Sequence, residues 1–63
     1  MDIALAITKL RTSRLYTRKA LAEKTGIELR HLIAVEERRE AATQNDIEAI
    51  SRTMKLKNED WIR

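Results

Sequence analysis

Apolar side chains recur along this chain at helical spacing, in short blocks divided by polar residues. Ile3, Ile7 and Leu10 stand at i, i+4 and i+7, one stripe of a first helix over about 2–14 that Asp2 can cap. Lys9, Arg11 and Arg14 gather toward its end, where cations suit the helix dipole, and Leu15-Tyr16 form the connection. Thr17 is a good cap for a second helix over about 18–25, with Leu21 and Ala22 inward and Ala20 beside them. Gly26 follows where helices commonly end in a left-handed residue. Ile27 anchors the turn, and a third helix over about 28–37 buries Leu32 and Val35. Residues 37–42 break the apolar period and read as a loop. Thr43 with Asp46 approximates a capping box for a fourth helix over about 44–54, striped by Ile47, Ile50 and Met54. Leu56 closes the core, and Asn58 can cap a last turn over about 59–62. The pattern predicts an all-α fold, a compact bundle of four to five helices occupying residues 1–63 as one domain.

Composition agrees and narrows the chemistry. Proline is absent and glycine occurs once in 63 residues, while hydrophobic residues make up 43% of the chain. That favours helix throughout and argues against disorder. A chain this short buries only about 60% of its unfolded surface, so its stability margin is thin. With no Cys and a single His, His31, it lacks a disulfide, a metal-ligand set and a nucleophile–base pair. The sequence therefore reads as a non-enzyme with no metal, cofactor or small-molecule substrate. No apolar run approaches the roughly 20 residues of a membrane span, and Met1-Asp2-Ile3 carries no basic leader. A soluble, cytoplasmic protein is the expectation.

Net charge is +3. Positions 9, 11, 14, 18, 19, 24, 30, 38 and 39 hold nine of the thirteen Lys and Arg residues, against acids at 2, 23, 28, 36 and 37. The first 39 residues thus carry +4 and the remainder −1. Two short amphipathic helices on either side of the lone glycine, embedded in that basic half, match the layout of a helix-turn-helix reader of DNA.

In order and spacing, the chain resembles the Cro/C1-type (XRE-like) helix-turn-helix family of phage and bacterial regulators. The resemblance covers about residues 7–62. It is carried by Leu10-Arg11, by Leu21-Ala22-Glu23-Lys24-Thr25-Gly26-Ile27, by Val35-Glu36, and by Ile47, Ile50 and Leu56. It implies a lambda-repressor-like domain in which Arg11 and Glu36 pair between the first helix and the end of the third. By the same resemblance Leu29, Arg30, Ile33 and Ala34 meet base edges, Arg18 opens the second helix at a phosphate, and Arg39 holds the backbone after the third. Thr17, Arg14, Lys19, Arg38 and His31 complete the phosphate-facing set. Family members commonly dimerise through C-terminal parts, which points to Leu56, Trp61 and Ile62. The chain departs from the pattern at Glu28, where a small Ser or Thr is common, at Glu37-Arg38 after the glutamate, and at apolar Leu29 and Ile33 on a face normally polar.

Each feature has a plainer reading. Arg30 is either bidentate to guanine O6 and N7 or a solvated helix arginine paired with Glu37 or Glu23. Leu29, Ile33 and Ala34 meet thymine methyls, cover a protein partner, or, for Leu29 in a rotated helix, enter the core. The arginines and Lys19 line phosphates or form a solvated surface. Trp61 either joins a dimer or covers the base of the core. The sequence thus predicts a sequence-specific DNA-binding transcriptional regulator, Cro-like or repressor-like, its third helix in the major groove of double-stranded operator DNA and the chain acting as a homodimer. The alternative is a protein-binding module of the same fold (an antirepressor, antitoxin or adaptor) using the Leu29/Ile33 face.

Overall fold

The computed structural model describes residues 2–62, apart from the side chain of Ile62. Five helices follow one another: α1 (Ile3–Ser13), α2 (Arg18–Thr25), α3 (Leu29–Glu36), α4 (Gln44–Met54) and α5 (Asn58–Ile62). The N-terminal boundaries follow from capping chemistry. Asp2 accepts from the Leu5 amide at 3.1 Å and Thr17 Oγ1 from the Ala20 amide at 3.0 Å. Thr43 and Asp46 form a complete capping box, with Asp46 N to Thr43 Oγ1 at 3.0 Å and Thr43 N to Asp46 Oδ2 at 2.9 Å. Each such cap stabilises its helix by about 1 kcal/mol. Against the sequence spans, α1 and α3 each shed a residue at both ends, because Asp2, Arg14, Glu28 and Glu37 are the caps. Asn58 is the first residue of α5 rather than its cap. Glu28 caps α3 by backbone alone; its side chain makes no cap hydrogen bond.

One core joins the helices. Ile7, Leu21, Leu32 and Ile50 are fully buried, one from each of α1 to α4, and Ala22, Val35, Met54 and Trp61 pack around them. Helix α2 lies against α3 and α4, and α1 against α3. Small Ala22 permits the close approach at the α2–α3 turn. The radius of gyration is 10.3 Å, close to the about 10.6 Å expected of a folded chain this long. Trp61 is only 5% exposed and its indole N–H donates to Ser51 Oγ at 2.8 Å. Of its two readings, dimer contact or cover for the base of the core, Trp61 takes the second. Leu56 is half-buried against the same core, and the Ile62 side chain lies outside the described residues.

The helix ends hold the main departure from the sequence reading. Gly26 ends α2 at φ 79°, as a glycine should, but Leu15, Arg38 and Lys55 also adopt positive φ, at 60°, 64° and 55°. Each follows a helix and each sits in a paired hydrogen-bond closure. The Leu15 amide donates to Thr12 O at 3.0 Å and the Tyr16 amide to Arg11 O at 3.1 Å. After α3, Arg38 N reaches Val35 O and Arg39 N reaches Ala34 O at 2.8 Å; after α4, Leu56 N reaches Ser51 O at 2.9 Å. This is the Schellman closure built without glycine. Tyr16 and Leu56, each one residue beyond the left-handed position, pack on the core, and that burial holds the turns against their backbone cost.

Leu15 is 92% exposed, so its side chain recovers nothing for its left-handed backbone. Leu15→Gly should raise stability by about 0.5–1 kcal/mol, the left-handed penalty less the added entropy of the unfolded chain. A Cβ at Gly26 would meet nothing within 4 Å, so Gly26→Ala should lower stability by about 1 kcal/mol through backbone strain alone. Thermal unfolding followed by circular dichroism reads both, as midpoint shifts of roughly 4–8 °C per kcal/mol in opposite directions.

Candidate nucleic-acid interface

Glu36 closes α3 and its side chain is wholly buried. A carboxylate removed from water must be matched by donors, and four arrive from two other elements. Arg11 on α1 approaches bidentately, Nε donating to Oε2 at 2.8 Å and Nη2 to Oε1 at 3.0 Å. Thr8 Oγ1, one turn earlier, donates to Oε1 at 3.0 Å, and Arg18 Nε at the start of α2 donates to Oε1 at 3.2 Å. Arg11 also donates through Nη1 to Tyr16 O at 2.9 Å, tying in the α1–α2 connection. Burial alone would raise the Glu36 pKa; the hydrogen bonds from Arg11 and then Thr8, with the charges of Arg11 and Arg18, outweigh it and hold the carboxyl below the ordinary glutamate value. Among the described residues no buried side-chain N or O lacks a partner.

That anchorage sets the rotation of α3. Leu32, Val35 and Glu36 face inward; Leu29 and Arg30 are exposed and Ile33 is half-exposed. Leu29 is 36% exposed and is not core. Ala34 is only 2% exposed and does not share the outward face with them. Its carbonyl accepts the amides of Arg39 at 2.8 Å and Glu40 at 3.3 Å, which closes the end of α3. Its burial withdraws Ala34 from the base-edge set.

The expected base-reading Arg30 and the expected phosphate-facing residues divide into two groups. Lys19 and Arg30 are exposed and make no ion pair among the described residues, and Arg14 reaches only Leu10 O and Ser13 Oγ at its own helix end. Thr17 is exposed with its hydroxyl oxygen engaged in capping. The others have acidic partners. Arg18 is shared between Glu36 and Glu37, Arg39 donates to Glu37 through Nη2 at 2.9 Å, and Arg38 pairs with Asp2. His31 does not point freely to solvent: Nδ1 lies against Glu40 Oε1, and Nε2 is 2.6 Å from Asp46 Oδ2. Sequence reading gave Glu37 a place as a departure from a pattern and as a possible partner of Arg30, not of Arg18 or Arg39, and gave Glu40 none beyond the loop. Glu37 could have been found from its spacing to Arg39; the reach of Asp2 across 36 positions could not.

The surface formed by α3, the start of α2 and the end of α1 thus offers two apolar side chains, a fork-shaped cation at Arg30, further free cations at Lys19 and Arg14, and paired arginines on its flank. It can bind by shape, charge and hydrogen bonding. Among the described residues no three His, Asp or Glu side chains come together to hold a metal ion, and no helix is long and apolar enough to cross a membrane.

Two variants test the buried pair. Arg11→Met leaves Glu36 buried with Arg18 as its only cation and should cost about 3–5 kcal/mol, a large part of the stability of so small a domain. The lowered pKa of Glu36 makes its stabilisation complete above the ordinary glutamate value, about 4.3, and lost as pH falls through the lower folded value. Urea unfolding from pH 6 down to pH 2 should therefore fall less steeply for Glu36→Gln than for wild type. Comparison with family models, characterised proteins and solved structures finds no match to this chain, so the roles of these side chains are read from their geometry.

Proposed function

We propose that the chain is a sequence-specific DNA-binding transcriptional regulator, Cro-like or repressor-like, that lays α3 in the major groove. The observation that carries this reading is the presentation of α3. Beyond the Gly26 turn its inner face is locked by Leu32, Val35 and Glu36, while Leu29, Arg30 and Ile33 face outward. A major groove about 12 Å wide admits one such helix. In that groove Arg30 is the residue suited to guanine O6 and N7, and Leu29 and Ile33 to thymine methyls. Lys19, Arg14 and the Thr17 hydroxyl then contact phosphates beside the groove.

The paired arginines fit the same reading. Arg38 and Arg39 are 60% and 61% exposed, and ion pairs so exposed are worth only about 0–1 kcal/mol, so exchanging a carboxylate for a phosphate costs little. The domain measures 27 × 21 × 20 Å, less than the about 34 Å of one DNA turn. One copy therefore covers one half-site, and a homodimer on a palindromic operator is the proposed working form. With Trp61 inside the core, Leu56 and the chain around it are the part of the C-terminal contact still to be assigned.

A second reading has its own observation. Two of the outward positions of α3 are apolar, and Glu37 neutralises cations at its end. A protein-binding module using Leu29 and Ile33 would look the same. Selection of bound sites from a random duplex pool separates the two: an enriched palindrome supports the regulator, and no enrichment supports the module. With about four phosphates neutralised per subunit, log K against log salt should slope near −3.6. Arg30→Ala should relax preference at one base position, at a cost of about 1–3 kcal/mol, whereas Lys19→Ala should weaken all sequences alike and flatten the slope by about 1.

A further inference from the structure

We propose that His31 is a protonation-dependent latch that ties α3 to the α3–α4 loop and to the N-terminus of α4. Both ring nitrogens face a carboxylate oxygen, Nδ1 that of Glu40 in the loop and Nε2 that of Asp46 in the first turn of α4. A neutral imidazole has one N–H and one lone pair, so it can satisfy only one of them. The imidazolium donates to both.

The surroundings fit a cation at this point. Glu28 of the α2–α3 turn, with Asp46 and Glu48 of α4, lines the groove beside His31, and Glu40 meets the ring from the loop. Arg52 of α4 is the one basic residue lining that groove. The hydrogen bonds to Glu40 and then Asp46 hold the His31 pKa above its ordinary value, against a smaller opposing effect of burial. When the proton leaves to water, one contact must open, and the two carboxylates are not equally free to move. Asp46 is 14% exposed and its Oδ2 also accepts the Thr43 amide of the capping box. Glu40 is 54% exposed and belongs to a loop. The Glu40 contact is the one that opens, and the loop after α3, which carries Arg38 and Arg39, loses this side-chain tether to α3. This latch goes beyond the DNA reading and stands without it.

The chain has one histidine, so its ring resonances in an NMR pH titration report the latch without ambiguity. The wild-type midpoint should lie above about 6.5, the ordinary histidine value. Glu40→Gln, on an exposed residue, should move the midpoint down, and the loop amides at 40–42 should shift with the same midpoint as the ring in wild type. Stability gained from a raised histidine pKa is full below the unfolded value and lost as pH rises through the folded one. The thermal midpoint of wild type should accordingly fall over that interval, and that of His31→Gln should stay level. A ring midpoint at or below 6.5, one unchanged by Glu40→Gln, loop amides that ignore the titration, or a His31→Gln profile parallel to wild type would each overturn the latch.

Discussion

The buried carboxylate of Glu36 is the constraint on which the arrangement of the first three helices depends. An isolated ionised carboxyl in an apolar interior costs several kcal/mol, so the fold must bring it cations and donors or fail to bury it. Arg11 and Thr8 stand one turn apart on α1 and reach it together, and Arg18 reaches it from the first residue of α2. Apolar contacts alone would be less selective. Leu32 and Val35 would remain buried under a modest rotation of α3, because hydrophobic contact has no direction. The bidentate pair with Arg11 does have direction, and it selects one rotation. Leu29 and Arg30 are outward because Glu36 is inward.

The same chemistry separates what is fixed from what is exchangeable. Arg11, 12% exposed, holds a buried partner and is committed to the fold. Arg38 and Arg39 hold exposed partners at the molecular rim, where water and salt compete for the same charges. Arg18 lies between, touching buried Glu36 with one nitrogen and exposed Glu37 with another. The flank so built is partly neutralised when alone, and its cations become available when a stronger anion arrives. The proposed DNA reading uses that property, and it places the exchange on the flank of α3 rather than beneath it.

Much of this was legible in the sequence wherever the cause was local. The caps at Asp2, Thr17 and Thr43 and the left-handed turn at Gly26 each depend on a few neighbouring residues, and the helices begin and end there within a residue. The Arg11–Glu36 pair was reachable only by resemblance, since nothing within either helix announces a partner 25 positions away. The remainder was not legible because it depends on neighbours distant in sequence. Leu15, Arg38 and Lys55 take a conformation that propensity assigns to glycine, held by hydrogen-bond closures and, after α1 and α4, by burial of the next side chain. His31 meets acids 9 and 15 residues on. Trp61 had two equal readings on sequence, and the core claimed it.

The claim that Glu36 and Arg11 act as one orienting unit is tested most directly by a double-mutant cycle. Arg11→Met, Glu36→Leu and the double variant would be compared with wild type by urea unfolding at neutral pH. If the pair is the orienting contact, the double variant should lose far less than the two singles combined, with a coupling of about 2–3 kcal/mol. A coupling below about 0.5 kcal/mol would mean that α3 is held by its apolar face alone, and would contradict the account.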